Sequence, residues 1–300
     1  MIYQKASNYL HNFFQGVAYR GFNYQLKAAM KTEINKRRFK SLNTGFERNK
    51  IALTPEITLN IRAEDYFGFR YFTDIDPEMV EEMQAFLRLS ASKKCLLDIG
   101  AYYGIFSLVF ASKPDAISVA IEPSPQAYRV LNHYLQINPQ CNVTSLPLAM
   151  GECEGSLQMY YDEQNHLVSQ QENSLKLDNQ VEVKVDTIDN LIDQQQLIPD
   201  AIKIDTEGFE LNVLQGARKT LQNHSPLIFL EVHPKLLQGL GHSVQDLVNY
   251  LGKLQYKICD FDLRLIKDPV SFLETRICRV VCYKEADYSA SHLTELQAKS

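Results

Sequence analysis

No window of this 300-residue sequence approaches the ~18 uninterrupted apolar residues that a membrane span requires. The N-terminus also lacks an apolar h-region ahead of a small-residue cleavage site, so no secretory signal is read there. Six cysteines are scattered along the chain without one CxxC pair, which argues against structural zinc and against a disulfide framework. Cys95, Cys278 and Cys282 fall in apolar, strand-like runs, where reduced cysteine behaves as a small hydrophobe. A reducing cytoplasm is therefore the expected compartment. Internal repeats and low-complexity blocks are missing too. The composition that remains, 45% hydrophobic and 22% charged, is that of an ordinary globular chain long enough to bury a large core.

The net charge of −5 hides an asymmetry. Residues 1–50 hold ten lysines and arginines against Glu33 and Glu47, a balance of +8 that leaves −13 for residues 51–300. So acidic a body disfavours nucleic acid as a partner. The basic segment is rich in aromatics (Tyr9, Phe13, Phe14, Phe22) and is read as partly helical. Two roles stay open for it: contact with a membrane surface or an acidic partner, or a helix folded over the main domain or a partner subunit, as in a homodimer.

One more absence concerns the stretch that organises the chain, CLLDIGAYYGIFSLVFASKPDAISVAIEP, Cys95–Pro123. Two strand-length apolar runs end in Asp98 and Glu122, with a glycine turn and a short apolar helix between them, which is a βαβ unit. The turn reads DxGxxxG and has no middle glycine of the GxGxxG kind, the one that brings backbone onto a pyrophosphate. An adenosyl ligand without phosphates, S-adenosylmethionine, fits better. Gly100 permits close approach of a ligand, Gly104 is expected to let the helix pack near the strand, and Glu122 can accept from both ribose hydroxyls.

Along the chain, ITLNIRA is read as a strand and YFGFRYF as its hairpin neighbour. Asp76–Pro77 starts a helix, and Ser124–Pro125 starts another that ends before Pro139. NVTSLPLAMG gives a third strand with Ala149 at its end, and a hairpin pairs SLQMYY with VEVKVDTI across a Gln- and Asn-rich loop at 163–179. AIKID, LIFLEVHP, KICDF and TRICRVVCYK supply the remaining strands, and Ser243 caps a helix between the second and third of these. The organisation expected is a basic extension over 1–55, a domain over 56–285 and a polar tail over 286–300.

A second acidic constellation lies in IKIDTEGFE and LEVHP. Lys203 and Asp205 share one side of a strand, as do Glu231 and His233. Adjacent parallel strands lie about 4.8 Å apart, so these ends are expected to converge on one pocket, with His233 as the candidate general base. Each residue also has a structural reading. Lys203–Asp205 can serve only to fix the strand, Glu207 can cap a turn, and Glu210 is expected as a solvated or capping residue on the first turn of its helix. A divalent ion on Asp205, Glu207, Glu231 and His233 is a minor alternative, because no fixed ligand spacing supports it; no metal is assigned.

Taken in order, DIGAYYG, VAIEPSP, PLAMG, VDTIDNL, IKIDTEGFELNVLQGA and PLIFLEVHP resemble the FkbM family of S-adenosylmethionine-dependent methyltransferases over about residues 95–235. The resemblance implies the class I methyltransferase fold, a Rossmann-like α/β architecture. Its seven-stranded, mostly parallel sheet carries helices on both faces and an antiparallel last strand. It also implies methyl transfer to a hydroxyl oxygen of a sugar, glycan or secondary metabolite. Asp98, Gly100 and Gly104 match the first cofactor motif, Glu122 the ribose-holding acid, Ala149 a position near the adenine, and Asp205 one near the methionine moiety. Tyr102 departs from the small or polar residue common there, and is expected to stack on the cofactor or line the acceptor pocket. Other classes compatible with the sequence are the same fold acting on a protein, lipid or RNA acceptor, a non-catalytic interaction module, and a nicotinamide oxidoreductase, the last disfavoured by the missing glycine.

Overall fold

A computed structural model describes residues 49–161, 167–168 and 180–285. The basic segment before residue 49 and most of the 163–179 loop, with the roles assigned to them, lie outside the described residues. The core is a seven-stranded sheet. Its strands are β3 (Cys95–Ile99), β4 (Ile117–Ile121), β5 (Val143–Leu146), β10 (Ala201–Ile204), β11 (Leu227–Val232), β12 (Tyr256–Cys259) and β13 (Cys278–Lys284). In the order β12-β13-β11-β10-β3-β4-β5 the last five strands pair parallel, and β13 runs antiparallel between β11 and β12. Residues of β3, β10 and β11 are buried throughout, which is why these strands read as continuous apolar runs rather than alternating ones. Helices cover both faces. On one side Leu97, Ile202, Leu214 and Leu247 share a cluster, and on the other Phe86, Phe106, Phe110 and Phe229 do.

The helix starts read from sequence are present. Asp76 accepts from the N–H of Glu78 (2.8 Å) and of Met79 (3.1 Å) at the head of helix Pro77–Leu89. Ser124 caps Pro125–Ile137, and Ser243 forms a reciprocal capping box with Asp246 at Val244–Lys253. Among the described residues no helix is long and apolar enough to cross a membrane.

Two local expectations need correction. YFGFRYF is not a strand: residues 63–72 form successive short helical turns, and strand Thr58–Asn60 (β2) instead pairs with Lys50–Ala52 (β1). Tyr66, Phe69 and Phe72 recur at three-residue intervals, so a helical turn sends all three toward one cluster, whereas a strand would alternate them. The β1–β2 hairpin also straddles the 55/56 boundary drawn from the sequence. Second, NVTSLPLAMG is not one strand. Pro147 has no N–H for the ladder, and the chain leaves the main sheet after Leu146. Ala149–Met150 (β6) joins a small four-stranded sheet beside β9 (Gln180–Asp186), which pairs in turn with β7 (Gly155–Tyr161), and β7 with β8 (Leu167–Val168).

Candidate active site

Strand β3 has β10 on one side and β4 on the other, so the chain's crossovers diverge at its carboxyl end. A cleft of about 900 Å³ opens there. Gly100, directly after β3, has φ +77°, and a Cβ on it would stand 1.8 Å from the carbonyl oxygen of Asp205. Only glycine fits. Gly100→Ala should therefore lower stability by about 2 kcal/mol, read as a drop in thermal midpoint, and weaken S-adenosylhomocysteine binding by shifting Asp205. Gly104 is also left-handed (φ +78°), but its Cβ would meet Leu131 Cδ1 at 2.3 Å. Its bareness thus admits the next helix, not the strand as expected.

Asp98 is buried, and its Oδ2 accepts from Ser107 N–H (3.1 Å) and Oγ–H (2.7 Å). Among the described residues its Oδ1 has no partner, nor does Thr206 Oγ1, and both residues line the cleft. Glu122 receives Tyr102 N–H on Oε2 and Ser124 N–H on Oε1, each at 2.8 Å. Burial nevertheless pushes its carboxyl up to about 7. The Tyr102 ring, 42% exposed, stacks on Tyr103 with centroids 4.0 Å apart. Ala149 borders the cleft with Leu148, Met150, Leu157 and Met159, forming an apolar wall on the side of the small sheet.

The acidic constellation converges as its strand positions implied. Lys203 Nζ is buried, 3.3 Å from Asp205 Oδ2 and 4.6 Å from the Phe106 ring centroid. Burial works against its charge, but Asp205, Glu82, Asp98 and Glu231 outweigh that and hold its pKa above the usual lysine value. Asp205 is held below its usual range: burial opposes its ionisation, and Lys203, His233 and Arg279 overcome it. His233 lies between two acids, with Nδ1 2.8 Å from Glu210 and Nε2 3.3 Å from Glu207. Its Nε2 also comes within 3.9 Å of Glu231. Although burial lowers the imidazole pKa, the bond to Glu210 and the charge of Glu207 raise it to about 9.

One named participant has another environment than expected, and two more escaped the sequence reading. Glu210 is not solvated: it is fully buried, accepts from Gly208 N–H and orients His233. The tight turn at Gly208 (φ +102°) folds the helix start inward against Leu236, and no sequence rule reveals that direction. Arg279 enters from β13, opposite Glu231 in register, and grips both its oxygens (Nη2–Oε1 2.7 Å, Nε–Oε2 3.0 Å). Glu82, buried under the cluster, meets Arg279 Nε at 3.1 Å. Both left a signal, an arginine inside an apolar strand and a glutamate on the apolar stripe of a helix. Burial and Asp205 push Glu231 up to about 8 in spite of Arg279.

The donor set suits S-adenosylmethionine. Carboxylates outnumber cations around the cleft, favouring a ligand with a sulfonium and an ammonium, and two buried oxygens lack partners. Asp205, Glu231 and His233 each bring a ligand atom within 4.8 Å of the others, as a divalent ion would need. Lys203, Arg279 and the raised imidazole already supply positive charge there.

Several solved structures are similar to this chain. An FkbM methyltransferase from Methylobacillus flagellatus KT is 16% identical, with 90% of this chain and 63% of that one covered and a TM-score of 0.42. This chain thus spans less than two thirds of that protein's length. An O-methyltransferase from Bacillus cereus, in complex with S-adenosylhomocysteine, is 10% identical (71% and 83% covered, TM-score 0.41). The O-methyltransferase of a polyketide multienzyme from Brevibacillus brevis, also with S-adenosyl-L-homocysteine, is 11% identical (79% and 82% covered, TM-score 0.41). No curated protein matches the chain. The family profile of the methyltransferase FkbM domain, however, matches residues 98–258, from Asp98 near the end of β3 into the next-to-last strand. With more than half its length inside that match, the chain belongs to the FkbM family of S-adenosylmethionine-dependent methyltransferases.

Proposed function

We propose that this protein transfers a methyl group to a hydroxyl oxygen of a sugar, glycan or glycosylated metabolite. The observation that carries the reading is the His233 assembly, in which Glu210 takes Nδ1 and leaves Nε2 beside Glu207 and Glu231 at the cleft. S-adenosylmethionine supplies an electrophilic methyl on a good leaving group. The protein's tasks are then to align the acceptor oxygen, worth ~7–11 kcal/mol, and to remove its proton. Asp98, Gly100, Glu122 and Asp205 would hold the cofactor, with Ala149 beside the adenine. His233 Nε2, once deprotonated, is the base. Glu207 and Glu231 accept from neighbouring hydroxyls, since each carboxylate can take two. Lys203 and Arg279 keep Asp205 and Glu231 in place. The free, mostly buried cysteines agree with action in a reducing cytoplasm. Residues 1–50, by charge and aromatic content, are proposed to contact a membrane surface, a partner or a second copy.

The test is methyl transfer from radiolabelled S-adenosylmethionine to a panel of free sugars and simple glycosides. Label is expected in a product that resists alkaline ester hydrolysis, as an ether does. Label in no member of the panel, or only in a product that alkali releases, would overturn the assignment.

A further inference from the structure

The cleft has a second wall that neither the cofactor residues nor the acid–base assembly uses. Tyr71 lines it from the helical turns at 70–72, and Ile277 from the loop leading into β13. The two are 44% and 49% exposed, and both are among the few large apolar side chains that the described residues present to solvent. Half-buried Phe72 and Met79 line the same cleft and add to its apolar surface. The Arg276–Glu78 ion pair (2.6 Å) ties the Ile277 loop to the helix that carries Met79, so the two sides of this wall are linked. Scattered exposed hydrophobics are ordinary, but here two stand at one cleft and lead into it. A free sugar, hydroxylated all round, would gain nothing from such a wall and would lose hydration against it.

Resting on the function proposed above, we infer that the acceptor is amphipathic: a hydroxyl-bearing polar group joined to an apolar aglycone or chain. The polar group meets Glu207, Glu231 and His233. The apolar portion runs out along Met79 and Phe72 and leaves between Tyr71 and Ile277. Burying methylene groups there would give affinity that grows with chain length.

Binding to the protein saturated with S-adenosylhomocysteine tests this, using methyl, hexyl and octyl β-glucoside below their micellar concentrations. The expected result is at least tenfold tighter binding of the octyl than of the methyl glucoside. Tyr71→Ser with Ile277→Ser should abolish most of that gain while leaving S-adenosylhomocysteine affinity unchanged. Both positions are exposed, so the double variant is expected to fold. Equal affinity across the series, or a gain that survives the double variant, would overturn the inference. If the chain-length dependence holds but no member of the panel of sugars and glycosides receives label, the O-methylation reading falls and the apolar wall stands.

Discussion

His233→Asn is expected to lower kcat by about 10²–10⁴-fold while S-adenosylhomocysteine affinity stays close to that of the native protein. Asparagine can still bond to Glu210 but cannot take a proton from an acceptor hydroxyl. The pH profile separates this role from a purely structural one. Because Glu210 and Glu207 raise the imidazole to about 9, the base form is a minority near neutrality. The logarithm of kcat/KM should therefore climb with pH and level off near 9. Glu231, at about 8, loses its proton over the same range, so the apparent values belong to the assembly as a whole. Stability should move the other way. A histidine whose folded pKa exceeds its unfolded value contributes stability that is complete below about 6.5 and is lost as pH rises through about 9. Native protein should thus become more active and less stable between pH 7 and 9, and His233→Asn should flatten both trends. A variant with unaltered kcat and an unaltered profile would remove His233 from the chemistry.

The parts of this molecule legible in the sequence are those where one residue's local chemistry decides the outcome. Asp76–Pro77, Ser124–Pro125 and Ser243 begin helices because a short acceptor side chain and a missing N–H act within one turn. Asp98, Gly100 and Glu122 meet at one cleft because parallel strands must deliver their carboxyl ends to the same edge. What stayed hidden depended on direction in space. Glu210 looked like a solvated first-turn acid, yet the Gly208 turn aims it at His233. Arg279 faces Glu231 only because β13 enters antiparallel at one particular register. Ala149 kept its place at the cleft although its strand assignment failed, because Pro147 moves the chain to another sheet that still borders the cleft.

Glu122→Ala is expected to weaken S-adenosylhomocysteine binding about a hundredfold, roughly 3 kcal/mol, in calorimetric titration. Hydrogen bonds to a charged acceptor contribute about 1.5–3 kcal/mol each, and two ribose hydroxyls would be lost together. The product is the better probe here, since it carries no sulfonium charge and reports the ribose contact apart from the acidic field of the cleft. Two backbone donors, Tyr102 N–H and Ser124 N–H, would also lose their acceptor. Glu122→Gln should rescue only in part, because its amide presents an N–H₂ group to one of those two N–H groups. Burial gives the pH arm its sign: with the carboxyl raised to about 7, the free protein carries Glu122 largely protonated at pH 6 and ionised at pH 8. Native affinity should therefore fall as pH drops below 7, toward a limit of about tenfold per unit. Asp98, also raised by burial, acts in the same direction, so Glu122→Gln should lessen the slope rather than erase it. An alanine variant that binds S-adenosylhomocysteine as tightly as the native protein would place the ribose elsewhere. The two backbone bonds to Glu122 would then serve only to hold the Tyr102 turn in its left-handed conformation, φ 50°.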